Sequence, residues 1–150
     1  MRAIRQLGDI RRLVGKLVSS VAPEDLSRVP PGFVNHIAWN AAHIVVTQQI
    51  LHYRLSGLDP HVPAELIAKY QKGTGPEAGD EDSYRRVMEF LHRGPDLLGA
   101  DFENGRFESF NAYNTSAGIQ LDKIEDAIVF NNFHEGIHVG YIMALRKALA

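Results

Sequence analysis

Residues 122–149 read DKIEDAIVFNNFHEGIHVGYIMALRKAL. Apolar residues recur through this stretch at three- and four-residue spacing, the period of an α-helix buried along one side. Counted at 100° per residue, Ile124, Ala127, Phe130, Ile137, Tyr141, Ile142, Leu145 and Leu149 share one arc, while Glu125, Asn132 and Lys147 fall opposite. His134 and His138 fall in the middle of the apolar arc, with Asn131 beside them. The predicted helix therefore aims two imidazoles at the core. Separated by a little more than one turn, they should leave the same face about 5–6 Å apart.

Working outward, a second helix is expected from Phe33 to Leu55, closed by Gly57 and Pro60. Trp39, Ile44, Val46, Ile50, Leu51 and Leu55 define its buried arc, and His43 lies inside that arc. His36, Asn40 and Thr47 join His43 in a polar strip, while Gln48, Gln49 and His52 fall towards the outer side. Residues 3–20 place Ile4, Leu7, Ile10, Leu13, Val14, Leu17 and Val18 on one helical stripe. Residues 21–32, with Pro23, Pro30 and Pro31, form a connection. A short helix fits residues 63–71, and residues 72–76 form a loop. Asp80 or Asp82 caps a third long helix carrying Tyr84, Val87, Met88 and Leu91, which Gly94-Pro95 should end or kink. Residues 99–120 are rich in Gly, Asn and Ser and read as a long ordered loop, with no strand or hairpin pattern. The expectation is one all-α domain over residues 1–150. It is a four-helix bundle with a long loop between the third and fourth helices.

Composition narrows the function. Hydrophobic residues make up 45% and charged residues 23%, a globular balance. A formal net charge of −2 gives nucleic-acid binding no bulk electrostatic support. Arg2, Arg5, Arg11, Arg12 and Lys16 crowd the first helix and read as its solvated face. There is no cysteine, so no disulfide, thiolate metal site or catalytic thiol. No apolar run approaches the roughly 18 residues of a membrane span. The Arg-rich N-terminus contains Asp9 and lacks an apolar core like that of a signal peptide. A cytoplasmic protein is expected, with no membrane or nucleic-acid partner.

Burying the polar strip without partners costs a few kcal/mol per group. A divalent metal held by His43, His134 and His138 would satisfy it, with Asn40, Thr47 and Asn131 supporting the ligands. The bland alternative pairs these histidines with Asn40, Asn131 and backbone in a purely structural core. His36 reads as a supporting residue rather than a fourth ligand, and His52, His61 and His92 read as surface or loop residues. Glu135 completes a formal H-E-x-x-H match. No strand offers an edge for a peptide substrate and no third ligand follows, so a zinc protease is rejected. Glu135 falls at the border of the buried arc, either a solvated charge or a weak general-base candidate. Tyr141 shares the face of the two late histidines, either to orient a ligand or donate a proton, or as a packed core residue. The loop at Tyr113–Ser116 either lids the site or is plain surface. Lys72-Gly73-Thr74-Gly75 lacks the spacing and preceding strand of a phosphate loop.

Trp39-Asn40-Ala41-Ala42-His43-Ile44, paired with Phe130-Asn131-Asn132-Phe133-His134-Glu135-Gly136-Ile137-His138-Val139-Gly140-Tyr141-Ile142, resembles the DinB-like (DinB/YfiT) superfamily over essentially the whole chain. The resemblance implies a four-helix bundle, often dimeric, whose three-histidine metal site maps onto His43, His134 and His138. It implies zinc or nickel as the ion. Some members of that family are transferases using bacillithiol or mycothiol, and one branch includes maleylpyruvate isomerase. The expected function is a metal-dependent enzyme acting on a small molecule, either a low-molecular-weight-thiol S-transferase or a hydrolase. Three neutral imidazoles leave a coordination position open, which suits catalysis. The alternative is a non-catalytic dimeric bundle that binds a metal or ligand. A homodimer is expected, also because the second helix is apolar over more than half its circumference.

Overall fold

The computed structural model describes residues 1–77 and 79–150. Six α-helices run in the order α1 (Arg2–Ser19), α2 (Ile37–His52), α3 (Ala64–Tyr70), α4 (Glu81–Met88), α5 (Phe90–Glu103) and α6 (Ile124–Leu149). Helix α1, α2, the α4–α5 pair and α6 form the four rods of an all-α bundle, with α2 and α6 packed together most extensively. Helix α3 is the short expected helix. Among the described residues, no helix is long and apolar enough to cross a membrane.

Helix α2 is central. Ile37, Ala41, Ala42, Ile44, Val45 and Val46 are fully buried or nearly so, and the helix has no wet side. This corrects the expected outer strip: Gln48, Gln49 and His52 are all completely buried. Two of them have hydrogen-bond partners that account for their burial. Gln48 Nε2 donates to Gly94 O at 3.3 Å. Gln49 Oε1 accepts the backbone N–H groups of His61 at 2.7 Å and Val62 at 3.3 Å, fastening the segment after α2. His52 has no partner of good geometry for either ring nitrogen among the described residues.

Helix α2 also starts later than Phe33. His36 is its N-cap, in extended backbone, and its Nδ1 accepts the Trp39 N–H at 2.9 Å. At the other end a 3-10 turn over Arg54–Ser56 ends at Gly57, whose φ of +70° is the left-handed conformation glycine tolerates. Asp80 caps α4 by accepting the Ser83 N–H at 2.7 Å.

The third rod breaks at Glu89, and Gly94-Pro95 sits inside α5 instead of ending it. Proline has no N–H for the carbonyl four residues before it. That freed carbonyl, Leu91 O, receives Arg11 Nη1 at 3.2 Å. A Cβ on residue 94 would come within 2.7 Å of Gln48 Oε1, so glycine there lets the two rods approach. Arg11 is thus not part of a solvated face. It is completely buried, with Nη2 also donating to Ile44 O and Gln48 Oε1, each at 3.2 Å. One guanidinium ties α1 to α2, α5 and α6.

Helix α5 extends to Glu103, so the expected loop begins later than residue 99. It contains an unforeseen two-stranded antiparallel hairpin, β1 (Tyr113–Asn114) with β2 (Gln120–Leu121), in which Tyr113 pairs with Leu121. Thr115 Oγ1 accepts the Ile119 N–H at 3.0 Å inside its turn. Two strands of two residues carry too little alternation to show in the sequence. Nearby, the Asp101 carboxylate gathers Tyr53 Oη at 2.9 Å, His61 Nε2 at 2.8 Å and Arg106 Nη1 at 2.8 Å, anchoring the end of α5.

Candidate metal centre

The most extensive helix contact, α2 against α6, brings His43, His134 and His138 to one point. Ring centroids lie 5.3 Å apart for His43–His134, 4.8 Å for His43–His138 and 4.6 Å for His134–His138. One ring nitrogen from each lies within 4.8 Å of the other two, the arrangement of a three-histidine group that could hold a metal ion. His43 is buried, and the other two are half-buried.

The hydrogen bonds set the tautomers. His43 Nδ1 lies 2.7 Å from Tyr70 O, an acceptor only, so Nδ1 donates and Nε2 keeps its lone pair. His138 Nδ1 lies 2.8 Å from Asn40 Oδ1. Asn40 Nδ2 donates to His36 O at 2.9 Å, which fixes its amide with the oxygen towards His138. His138 Nδ1 therefore donates too. Its Nε2 faces His134 Nε2 at 3.2 Å. Two nitrogens bound to one zinc ion at tetrahedral angles would lie about 3.3 Å apart. His134 Nδ1 is buried and has no partner among the described residues. The donor set thus fits a divalent ion, with two imidazoles oriented in the manner metal ligands require.

Protonation points the same way. Burial pushes the pKa of His134 down to about 3, with the neighbouring imidazoles and Arg11 adding to the effect. Burial likewise lowers His138 to about 4, with His43 contributing. His43 is lowered by burial, the Tyr70 carbonyl opposing only in part. All three rings are neutral near pH 7, the form that ligates. Trp39 covers His43 by stacking at 4.5 Å between centroids and 11° between planes.

The supporting residues divide. Asn40 orients His138 as expected, and Thr47 Oγ1 lies 3.3 Å from His43 Nε2. Asn131 does not reach the histidines; its Nδ2 donates to Glu135 Oε1 at 2.8 Å. Glu135 is neither solvated nor free. It is completely buried, with Oε2 held by Arg11 Nε and Oε1 by Arg11 Nη2, both at 2.7 Å. With both oxygens committed, it is a structural anion between His134 and His138. Tyr141 packs edge-on against Phe33, 5.6 Å between centroids. The buried stripe of α6 is rotated from the expected arc: Asn132 is inside it, while Ile137 is 54% exposed. The histidines lie at its edge, not its middle. Of the other histidines, His36 caps α2 and His92 is exposed, as read, whereas His52 is the buried exception.

A cavity of about 200 Å³ opens on His43 and His134. Ile50, Leu51, Leu55 and Phe130 give it apolar walls, and the hairpin supplies Tyr113, Thr115 and Ser116 over it. A larger groove of about 780 Å³ between α1 and α5 is open to solvent and has no histidine in its lining. The Tyr70 carbonyl had no signal in the sequence, because a backbone acceptor has no residue type; Lys72, which also lines the cavity, stood out only as part of the Lys72–Gly75 stretch, whose spacing gave it no role.

A family model described as the DinB superfamily matches residues 6–142. No curated protein matches the chain.

Proposed function

From the premise that this chain belongs to the DinB superfamily, we propose that it is a metal-dependent enzyme acting on a small molecule, with His43, His134 and His138 as the metal ligands. The observation that carries this reading is the convergence of three neutral imidazoles, two with Nδ1 already committed, beside a small apolar cavity. A divalent zinc or nickel ion there would supply Lewis acidity to a coordinated substrate atom. The chain's own residues hold the three rings, orient them through Tyr70 O and Asn40 Oδ1, and shield one side with Trp39. Ile50, Leu51 and Phe130 limit water at the cavity wall. Because the chain has no cysteine, a thiol nucleophile has to come from a small molecule. A low-molecular-weight-thiol S-transferase is chemically coherent with that, and a hydrolase is the other enzymatic reading.

Elemental analysis of untagged protein tests the centre. About one divalent ion per chain is expected, lost in His43→Ala or His138→Ala. Retention in all three single-histidine variants sinks the assignment. Turnover of an electrophile only when thiol is supplied favours the transferase, and equal rates without thiol argue against it. A metal-loaded protein inert towards thiol–electrophile pairs, esters and amides is instead a binding module.

We propose a second copy of the chain as the partner for the outer side of α6. The apolar circumference of α2 is consumed within the bundle. Apolar surface remains at Val129, Phe133, Ile137 and Met143, each more than half exposed on α6. Light scattering should give twice the chain mass, and Phe133→Glu with Ile137→Glu should return it to one chain. A single-chain mass for the unaltered protein rejects the dimer.

A further inference from the structure

Lys72 is a cation with no salt bridge or side-chain hydrogen bond among the described residues, yet the chain on both sides of it is fastened to the histidine centre. On one side, Tyr70 O accepts from His43 Nδ1 at 2.7 Å. On the other, Thr74 Oγ1 accepts from Trp39 Nε1 at 3.1 Å and donates to Gln71 O at 2.8 Å. Trp39 is itself stacked on His43. Gly73, at φ +91°, turns the chain between these anchors. The lysine therefore rides on a short, doubly tethered loop and lines the same cavity as His43 and His134. The cavity otherwise offers apolar side chains and the hydroxyls of Thr47, Tyr113, Thr115 and Ser116.

We propose that Lys72 is a specificity residue, pairing with a single carboxylate on a small ligand whose apolar body fills the cavity and whose opposite end reaches the histidine centre. The volume of about 200 Å³ admits only a short ligand, well below drug size. One ammonium with nearby hydroxyls suits a monoanion; a phosphate dianion would call for further donors. This inference rests on the metal-dependent reading for the ligand's other end.

The test uses protein loaded with cobalt(II), with 5-mercaptopentanoate and 1-pentanethiol as probes. Both thiols should give a sulfur-to-cobalt absorption band. At low salt the carboxylate probe should bind roughly fivefold to tenfold more tightly, an advantage that shrinks as salt rises. Lys72→Gln, a change at an exposed side chain, should abolish the advantage and leave pentanethiol affinity unchanged. An equal advantage in Lys72→Gln, or none in the unaltered protein, overturns the proposal. So does cobalt uptake at one ion per chain with no sulfur band from either thiol. If cobalt does not load, the metal reading fails by itself. Fluorescence of Trp39, the single tryptophan, which is stacked on His43 and bonded to Thr74 of the Lys72 loop, then reports binding in the neighbouring cavity. Quenching by hexanoate but not 1-hexanol, lost in Lys72→Gln, supports the Lys72 contact, and any other pattern overturns it.

Discussion

Arg11 of α1 and Glu135 of α6 form a two-point ion pair at the centre of the bundle, with neither side chain exposed. Glu135 lies between His134 and His138 in sequence, and the guanidinium's remaining donors go to Leu91 O, Ile44 O and Gln48 Oε1. Removing one partner strands a buried charge, which costs about 3–5 kcal/mol. Arg11→Met and Glu135→Leu should each lower stability by about that amount in urea unfolding. The double variant should recover part of the loss, because two apolar residues leave no buried charge, while Gln48 Oε1 and Asn131 Nδ2 lose a buried partner. Single variants costing under about 1 kcal/mol would show that the pair does not lock the helices.

Asn40 orients His138 through a 2.8 Å contact, and its own amide is fixed by His36 O. Asn40→Ala removes the acceptor that keeps the proton on Nδ1. Metal affinity, measured by competition with a chromophoric chelator, should fall about 10- to 100-fold. Asn40→Asp keeps an acceptor oxygen and should hold more of the affinity. An unchanged constant in Asn40→Ala would mean that the contact plays no part in ligation.

Helix existence was legible because α1, the third rod and α6 each combine apolar and polar residues at helical spacing, and the three clustered histidines stood out as inward residues, His43 on the apolar arc of α2 and His134 and His138 on that of α6. The rest failed for identifiable reasons. A helix surrounded on every side has no polar face, so Gln48, Gln49 and His52 looked like an outer strip when they are core residues. Arg11 looked solvated because its partners lie 33 to 124 residues away. Gly94-Pro95 carries a local breaker signal, but the unpaired Leu91 carbonyl and the missing Cβ are what Arg11 and Gln48 occupy, so tertiary contacts override it. The rotation of α6 differs from the expected arc because Ile137, apolar and placed in that arc, is exposed, while the polar Asn132 is buried.

A metal that bridges α2 and α6 adds its binding free energy to folding. With free metal at a thousand times its dissociation constant, the gain is about 4 kcal/mol. For a chain of this size that corresponds to roughly 10 °C in melting temperature. Chelation of the loaded protein should lower Tm by about that much, while His43→Ala should melt at one temperature with or without chelator. Equal melting of loaded and chelated protein would leave the three rings as an ordinary structural core.

His52 gives the fold an acid weakness separate from the three clustered histidines. Its ring is completely buried with no partner of good geometry among the described residues, and burial pushes its pKa down to about 3, the Ala127 backbone opposing only in part and Arg11 adding to the shift. In the unfolded chain the ring titrates near 6.5. Between those values the unfolded state holds a proton that the folded state refuses, so stability falls as pH drops below about 6.5. By pH 5 the loss assigned to this one ring is about 2 kcal/mol. His52→Leu removes the titration and fills a similar space without a polar atom to satisfy. Urea unfolding of both proteins at pH 7 and pH 5 isolates the effect, since every other titrating group is common to them. The stability of His52→Leu relative to the unaltered chain should rise by about 2 kcal/mol between pH 7 and pH 5. A difference that stays flat over that interval would mean that the folded core accommodates the protonated ring.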